Sequence, residues 1–358
     1  MKAYLHIFLL LTFACTPESP KPDQQSRDLI WLEHAGAQMP VWVEGNTISN
    51  VMVIILHGGP GGNALIYNET SITMATELEE RYGVAYWDQR ISGNSRGSFD
   101  EKEVSVELMA EDLDLLIDLL QELYGPTLDI FLLGHSWGGY LGSYYLLDPE
   151  RQAKVRGWID VDGAHNIPSL TRDALELMEE VSRAQIGADV DSREKWEDIL
   201  AFVEGFSLGN VIDTDDFVEV NLQAIEAEKL AFSDGLTAEG EEDPNELLKG
   251  LLSYFFGKHH PLTALTNRIQ INQTQILDEA IANPLSDQLL RITTPSLLLW
   301  GKLDFVVPPN QGLDAYNNLG TPDNQKTLVI FEESGHSPMS NEPDLFVDIV
   351  VGFIEGLR

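Results

Sequence analysis

One segment constrains the fold of this chain more than any other, because an apolar run leads directly into a serine set between glycines. Residues 128–133 (LDIFLL) have the composition of a buried strand, and residues 134–138 (GHSWG) follow at once. The segment 138–147 that comes next can form a helix. A buried strand that turns sharply into a helix holds a serine hydroxyl at the edge of a sheet, and glycines tolerate the strained, crowded backbone of that turn. The segment therefore predicts a strand, a tight turn and a helix, with Ser136 in the turn.

A nucleophilic serine needs a base, an acid that orients the base, and hydrogen-bond donors for the developing oxyanion. Two further apolar runs, 295–300 (PSLLLW) and 326–331 (KTLVIF), are typical of buried strands. Asp304 follows the first run and His336 follows the second, which is the chain order Ser, Asp, His of α/β-hydrolases. We therefore expect Ser136, Asp304 and His336 to form a catalytic set.

A second carboxylate could take the place of the acid. Asp162 directly follows the predicted strand 155–161 and is the alternative orienting acid. We prefer Asp304, because it follows the strand that precedes the histidine's strand.

The oxyanion donors are expected from a glycine-rich loop. Residues 57–62 (HGGPGG) follow the apolar run 51–56 (VMVIIL). Glycines let the backbone approach a substrate oxygen and direct an N–H at it. An HGGG-type loop commonly acts together with the amide of the residue after the nucleophile. The predicted donors are the amide of Gly59 or Gly58 and the amide of Trp137.

The same loop disfavours nucleotide binding, because it contains neither a G-K-[ST] sequence nor G-x-G-x-x-G. We expect no cofactor and no metal. His57 is expected to form structural hydrogen bonds, since His336 already fills the role of base.

Several motifs together resemble those of a known family, the prolyl iminopeptidase branch of the α/β-hydrolases. They are HGGPGG at 57–62, WDQRISGNS at 87–95, GHSWGG at 134–139, GKLD at 301–304 and SGH at 334–336.

The resemblance implies that Ser136 is the nucleophile, His336 the base and Asp304 the orienting acid. Members of this family release an N-terminal residue, often proline, from short peptides or arylamides. Two positions differ from the family's usual pattern: Ile91 stands where the DQR run usually continues with glycine, and His135 stands before the nucleophile where glycine is usual.

The family also binds the free amine of its substrate through acidic residues of its cap. The cap predicted here is rich in acidic residues, but a charge run usually marks a solvated helix face. We expect Glu176, Glu179, Glu180 and Glu204 to be such solvated residues.

Strand and helix patterns alternate along most of the chain, which predicts an α/β-hydrolase fold with a mostly parallel eight-stranded sheet and helices on both faces. This core is expected in residues 28–165 and 291–358. Residues 166–290 carry amphipathic helical patterns and no convincing strand, so they are expected to form a helical cap over Ser136. The predicted strands are 29–34, 40–44, 51–56, 84–87, 128–133, 155–161, 296–300 and 326–331.

The N-terminal residues 1–27 are expected to be a signal peptide and a tether. The apolar stretch 4–13 follows a single lysine and is too short for a permanent membrane span. Cys15 follows a small residue, which resembles a bacterial lipoprotein processing site. We expect an exported bacterial protein whose Cys15 is lipidated and anchors it to the cell envelope, with a secreted or periplasmic protein as the alternative. Cys15 is the only cysteine, so no internal disulfide can form.

The formal net charge of −36 makes nucleic acid an unsuitable partner, since phosphate binding needs basic patches. The expected partner is a small-molecule or short-peptide substrate, and nothing in the sequence indicates an oligomeric state. Two alternatives to the peptidase remain: a capped carboxylesterase for small hydrophobic substrates, and a non-catalytic ligand-binding protein on a hydrolase fold.

Overall fold

The computed structural model describes residues 26–97, 100–188, 190–207, 209, 211–240, 261–272 and 274–358. The predicted signal peptide, Cys15, nearly all of the tether and residues 241–260 of the predicted cap lie outside the described residues. Within the described ranges, none of the helices is both long enough and apolar enough to span a bilayer.

A single twisted sheet forms the centre of the molecule, with eight strands in the order β1-β2-β4-β3-β6-β7-β8-β9 and a ninth, β5, paired to β2. The strands are β1 (Ser26–His34), β2 (Ala37–Gly45), β3 (Val51–Leu56), β4 (Gly83–Trp87), β5 (Arg96–Gly97), β6 (Asp129–His135), β7 (Gly157–Val161), β8 (Ser296–Gly301) and β9 (Lys326–Phe331). Every neighbouring pair along the path β4-β3-β6-β7-β8-β9 is parallel. Strand β2 pairs antiparallel with β1, β4 and β5. The predicted mostly parallel sheet is confirmed. The two-residue β5 was not predicted, because it is too short to show a periodic pattern.

The first strand begins earlier than predicted. β1 pairs with β2 over its full length, from Ser26 opposite Gly45 to His34 opposite Ala37. Residues 26–28 therefore belong to the sheet because of this pairing rather than because of any apolar pattern of their own.

Helices cover both faces of the sheet. They are α1 (Ile66–Thr70), α2 (Ile72–Arg81), α3 (Val106–Tyr124), α4 (Trp137–Leu146), α5 (Pro149–Gln152), α6 (Ile167–Ala188), α7 (Arg193–Gly205), α8 (Thr214–Ser233), α9 (Pro261–Ile271), α10 (Ile276–Ala282), α11 (Pro309–Asn318), α12 (Pro338–Asn341) and α13 (Pro343–Gly356). Short 3₁₀ turns occupy Thr47–Ser49, Glu101–Glu103, Ser286–Arg291 and Asp323–Gln325.

The side chains of β3 show how the core is built. All six of its residues are buried. Alternate residues point to opposite faces of a strand, so Ile54 packs into a cluster that includes α3 and α4, and Ile55 into one that includes α2 and α13. This placement of two apolar layers holds the carboxyl ends of the parallel strands together at one edge.

Helices α6 to α10 come between β7 and β8, in the segment predicted to be a cap. Among the described residues of 166–290 there is no strand. Helices α6, α7 and α8 share an apolar cluster of their own, in which Met178, Trp196 and Ala224 are buried. Phe305, from the loop after β8, joins that cluster. The cap helices therefore pack directly on the loop that carries Asp304.

Candidate active site

Ser136 lies between the end of β6 and the start of α4, as the sequence predicted. Its backbone has φ +56° and ψ −118°, a region that L-residues rarely adopt. The flanking glycines leave no room for a side chain. A Cβ on Gly138 would lie 1.9 Å from the carbonyl oxygen of Leu56, and one on Gly134 would lie 2.5 Å from the carbonyl oxygen of Gly138. The tight turn thus depends on both glycines, and it leaves the serine side chain only half-buried.

Asp304 and His336 form a hydrogen-bonded pair. The distance from Nδ1 of His336 to Oδ2 of Asp304 is 2.8 Å. Oδ1 of Asp304 accepts hydrogen bonds from the amides of Val306 (2.8 Å) and Val307 (2.7 Å). Three N–H groups therefore donate to the two oxygens of this fully buried side chain. An Nδ1–H that donates to Asp304 leaves Nε2 of His336 as the nitrogen that can take up a proton.

The pKa of His336 reflects two opposing effects. Burial lowers the pKa, but the charge and hydrogen bond of Asp304, together with the charge of Glu228, outweigh it. The net result is a pKa above the ordinary value of 6.5. A raised pKa makes the imidazole a stronger proton acceptor, which suits a general base.

The alternative acid, Asp162, lies beside this pair. Its Oδ1 accepts a hydrogen bond of 2.9 Å from the amide of Gly301, and its backbone has φ +47°. Burial, followed by the charge of Asp304, raises the pKa of Asp162 well above its ordinary value. The direct hydrogen-bond partner of His336 Nδ1 is therefore Asp304, the preferred acid.

The glycine loop lies against the nucleophile. A Cβ on Gly58 would be 3.2 Å from Cβ of Ser136. However, the Gly58 amide donates a 3.0 Å hydrogen bond to the hydroxyl of Tyr67. This bond engages the only backbone donor of Gly58, which favours Gly59 over Gly58 as the predicted oxyanion donor.

Two of the predicted donors remain. Among the described residues, no acceptor contacts the amide of Gly59 or that of Trp137. Gly59 has φ +133° and a cis peptide bond to Pro60. Trp137 is the first residue of α4, where an N–H has no partner within the helix. Gly59 and Trp137 are therefore the amides that can hold a substrate oxygen.

A chain of hydrogen bonds connects the glycine loop to the base. The hydroxyl of Tyr67, which accepts from Gly58, lies 2.7 Å from Nδ1 of His135, and Nε2 of His135 lies 2.7 Å from the carbonyl oxygen of His336. Burial lowers the pKa of His135 to about 3, so its imidazole is neutral at neutral pH. The rings of His135 and His336 are 4.7 Å apart between centroids. The residue that replaces the family's usual glycine thus connects three loops of the site.

The DQR motif, residues 88–90, holds loops near the site in place through buried hydrogen bonds. Asp88 accepts from the amides of Ala64 (2.8 Å) and Asn94 (2.7 Å). Arg90 is fully buried and donates to both oxygens of Asp112, at 2.9 and 2.7 Å. These contacts give the motif a structural role that the sequence alone did not reveal.

Gln89 connects the glycine loop to the turn that holds Ser136. Its backbone N–H donates to Nε2 of His57 (3.2 Å), and its side-chain oxygen accepts from the indole N–H of Trp137 (3.2 Å). Burial lowers the pKa of His57 to about 4. His57 is therefore a neutral residue with structural hydrogen bonds, which agrees with its expected role.

Ile91, which replaces a usual glycine, has φ +53° and is buried. A β-branched residue is strained in this region, and the buried side chain must offset that strain by packing in the core.

Glu228 of the cap helix α8 reaches the site and was missed by sequence reasoning. Its Oε1 accepts a hydrogen bond from the backbone N–H of His336. Its Oε2 is buried and has no partner among the described residues. Burial, followed by the charge of Asp304, raises the pKa of Glu228 to about 7.

A signal for Glu228 exists in the sequence. It shares one face of α8 with a helical stripe of buried small residues, Ala224, Ala227 and Ala231. A lone carboxylate on an otherwise apolar face indicates a buried role. By contrast, Glu176, Glu180 and Glu204 are exposed and Glu179 is partly exposed, and Arg183 pairs with Glu179 and Glu204 at the surface.

Three residues of this site could in principle ligate a metal. Ligand atoms of His135, Asp162 and His336 lie within 4.8 Å of one another. Both ring nitrogens of His135 and Nδ1 of His336 are already engaged in hydrogen bonds. The group is thus better described as part of the hydrogen-bonded network than as a metal centre.

Comparisons with known proteins identify the family. The sequence profile described as "Alpha/beta hydrolase family" matches residues 53–349. A proline iminopeptidase of Saccharolobus solfataricus is 28% identical over 86% of each chain, and a probable aminopeptidase, YbaC, of Bacillus subtilis is 23% identical over 86% of this chain and 89% of its own.

Solved structures share the fold. A proline iminopeptidase of Mycobacterium smegmatis superposes with a TM-score of 0.62 at 15% identity, over 92% of this chain and 98% of its own. An esterase of Thermogutta terrifontis gives 0.56 at 18% identity, over 93% and 99%. The chain therefore belongs to the alpha/beta hydrolase family, in which it resembles the prolyl iminopeptidases.

Proposed function

We propose that the protein is a serine hydrolase that removes an N-terminal residue from a short peptide or arylamide by acyl-enzyme chemistry. The observation that carries the proposal is the 2.8 Å Asp304–His336 bond at the edge of the sheet where Ser136 occupies its strained turn. The relatives named as proline iminopeptidases, which match over most of the chain, support the peptidase assignment.

The proposed reaction gives each of these groups one role. His336 Nε2 accepts the Ser136 hydroxyl proton as Oγ attacks the substrate carbonyl carbon, and the amides of Gly59 and Trp137 bind the resulting oxyanion. Collapse of the tetrahedral intermediate breaks the C–N bond, and His336 gives its proton to the departing amine. A water molecule then attacks the acyl-enzyme by the same route in reverse, which releases the acid and regenerates Ser136.

Glu228 is the proposed binding residue for the free amine of the substrate. Its carboxylate lies at the backbone of His336, and its Oε2 has no partner among the described residues. An ammonium group placed there would gain a charge-assisted hydrogen bond in a buried setting. The terminal amine and the scissile carbonyl of an N-terminal residue are separated by a single carbon, so both groups must bind close to His336.

The nucleophile is tested with a fluorophosphonate probe, which reacts with activated serines. The wild-type protein should be labelled at Ser136, and Ser136→Ala should not be labelled. Equal labelling of the two proteins would disprove the assignment. A wild-type protein that neither reacts with the probe nor hydrolyses any aminoacyl arylamide or p-nitrophenyl ester would favour the non-catalytic alternative.

The substrate class is tested by three compounds assayed in parallel: a proline arylamide, its N-blocked form and a p-nitrophenyl ester of small hydrophobic acid. We expect the free-amine arylamide to have the highest kcat/KM. The same catalytic groups can hydrolyse an ester, so preference for the ester would instead support the carboxylesterase alternative.

We also propose that the chain is exported and anchored by a lipid on Cys15, from the apolar stretch 4–13 and the small residue before the cysteine. Cys15→Ser should move the protein from the membrane fraction to the soluble fraction of the cell envelope. Unchanged fractionation would contradict the anchor.

A further inference from the structure

Two buried carboxyl groups meet at the ends of neighbouring strands. Asp162 follows β7 directly, Asp304 follows β8, and both are fully buried. Because β7 and β8 pair in parallel, their carboxyl ends lie side by side. The backbone amide of Asp162 donates to the carbonyl of Leu299 at 3.0 Å, and its Oδ1 accepts from Gly301 at 2.9 Å. Asp162 is thus held firmly against the strand that leads to Asp304.

The two carboxyls have very different sets of donors. Asp304 accepts from three N–H groups, whereas Asp162 accepts from the Gly301 amide alone. Oδ2 of Asp162 is buried and has no N–H or hydroxyl partner among the described residues. Two ionised carboxylates in contact repel each other, so such a pair shares one proton. Because Asp162 has fewer donors and an unpartnered oxygen, the shared proton is placed on Asp162.

A protonated Asp162 acquires the partner that its ionised form lacks. Its Oδ2–H can donate to the carboxylate of Asp304, whose charge and side-chain hydrogen bond contribute to the raised pKa of Asp162. The direction of the shift in the pKa of Asp162 is upward, through burial first and the Asp304 charge second, which agrees with this arrangement.

Asp162 also lies close to the base itself. One of its carboxyl oxygens is within 4.8 Å of a ring nitrogen of His336. Glu228, the other carboxylate near His336, is held at the backbone N–H instead. Asp162 is therefore the carboxyl that can reach the imidazole, directly or through one water molecule, if the side chain of Asp304 is absent.

From this geometry we propose that Asp162 is a second positioning acid for His336. In the native protein it supports Asp304 through a hydrogen bond, and in the absence of Asp304 it ionises and orients His336 in its place. The inference rests on the proposed serine-hydrolase function. It adds to that function a duplicated acid, with one carboxyl from each of two adjacent strands.

The test measures the second-order rate of fluorophosphonate labelling and turnover on the best available ester or arylamide. Asp304→Ala should lose about 10- to 100-fold, because Asp162 replaces the missing carboxylate. Asp162→Asn should stay within about threefold of wild type, since an amide can still accept from Gly301 and donate to Asp304. Asp304→Ala/Asp162→Asn should lose about 10³- to 10⁴-fold, the loss typical when the acid of such a triad is disabled.

Asp304→Asn separates orientation from folding. Its amide is nearly isosteric with the carboxylate, but its NH₂ group faces Nδ1 of His336 and favours the wrong tautomer. It also fills the space through which Asp162 would approach. We therefore expect Asp304→Asn to be less active than Asp304→Ala, whereas a purely structural role for Asp304 predicts the reverse order.

The matched control is Asp160→Asn. Asp160 lies two residues earlier on β7 and is also buried, with a pKa raised to about 8 by burial, but the Asp304 charge is not among the causes of that shift. Asp304→Ala/Asp160→Asn should label as fast as Asp304→Ala. Melting temperatures report whether each variant is folded, and Asp304→Ser replaces Asp304→Ala if the alanine variant does not fold.

Two failures can be told apart. A wild-type protein that is not labelled at Ser136 would overturn the proposed function. If the wild type is labelled but Asp304→Ala is as slow as the Asp304→Ala/Asp162→Asn variant, the serine-hydrolase function stands and the second acid is disproved.

Discussion

Nε2 of His135 lies 2.7 Å from the backbone carbonyl oxygen of His336 and binds it. A carbonyl only accepts, so the hydrogen must be on Nε2. Nδ1 of the neutral ring then accepts from the Tyr67 hydroxyl, and the oxygen of that hydroxyl accepts from the Gly58 amide. Each hydrogen bond of this series therefore has one defined donor and one defined acceptor. These hydrogen bonds connect the glycine loop, the turn that holds Ser136 and the loop that carries His336. The relative positions of the three segments determine the reaction geometry.

Removing the Tyr67 hydroxyl should slow the chemical step and leave binding nearly unchanged. Tyr67→Phe keeps the ring but breaks two links of the chain, so Gly58 and His135 each lose a partner. We expect kcat to fall roughly tenfold with little change in KM, since small displacements of reacting groups are costly. Steady-state kinetics measure this effect. The control is Tyr86→Phe, which deletes another buried hydroxyl, bonded to Glu79 at 2.9 Å. A fall in kcat of the same size in both variants would show that the effect is general destabilisation.

Replacing the cap carboxylate should impair substrates that carry a free amine. Glu228→Gln keeps an oxygen that can accept from the His336 amide but removes the charge. We expect KM for a proline arylamide to rise about 10- to 100-fold, with a much smaller change for an ester that lacks an amine. Glu226→Gln, on the same helix but exposed and paired with Lys229, is the control. Equal losses on both substrates would argue against an amine-binding role.

The acid limb of the pH–rate profile should lie above pH 6.5, because Asp304 and Glu228 raise the pKa of His336 and the base must be deprotonated. The profile of kcat/KM on an uncharged ester measures this pKa without interference from a substrate amine. In Glu228→Gln one of the two negative charges is gone, so the limb should move to lower pH. A limb that moves upward, or stays in place, would contradict the assigned influence of Glu228.

Asp160 should make the protein less stable as the pH rises. Burial raises the pKa of Asp160 from 3.8 to about 8, so the folded state keeps a proton that the unfolded chain releases. The stability associated with that proton is complete below the unfolded pKa and is lost as the pH rises through the folded pKa. Asp160→Asn cannot ionise. Its melting temperature relative to wild type should therefore increase by roughly 4–8 °C between about pH 5 and about pH 8.5.

Thermal unfolding at several pH values measures this difference. Asp348→Asn, at an exposed position of α13, serves as the control and should show no such pH dependence. A difference that is constant with pH would mean that Asp160 is ionised in the folded protein.

Much of the site could be predicted because it depends on local patterns. Asp304 and His336 each follow an apolar strand, and parallel strands bring such positions to the same edge of the sheet. The strained turn at Ser136 was predictable because Gly134 and Gly138 mark the close approach of backbone.

The partners of other residues could not be predicted, because these contacts join distant segments. Tyr67 contacts His135 across 68 residues, and Glu228 contacts His336 across 108. The engagement of the Gly58 amide depends on where α1 places Tyr67, which no local motif specifies. Acidic residues of the cap stand out in the sequence on charge-rich helix faces, whereas Glu228 lies on a face of small buried residues.

The contact between Glu228 and the backbone of His336 connects the cap to the loop that carries the proposed base. The segment that follows α8 strengthens this attachment, since the amide of Ala238 donates to the carbonyl of Glu333 at 2.7 Å. A shortened protein from which the cap is excised would thus lose the acceptor for the His336 amide. Motion that lifts α8 from the core would release the loop that carries His336 at the same time, so the proposed catalytic groups are assembled only while α8 is packed on the core.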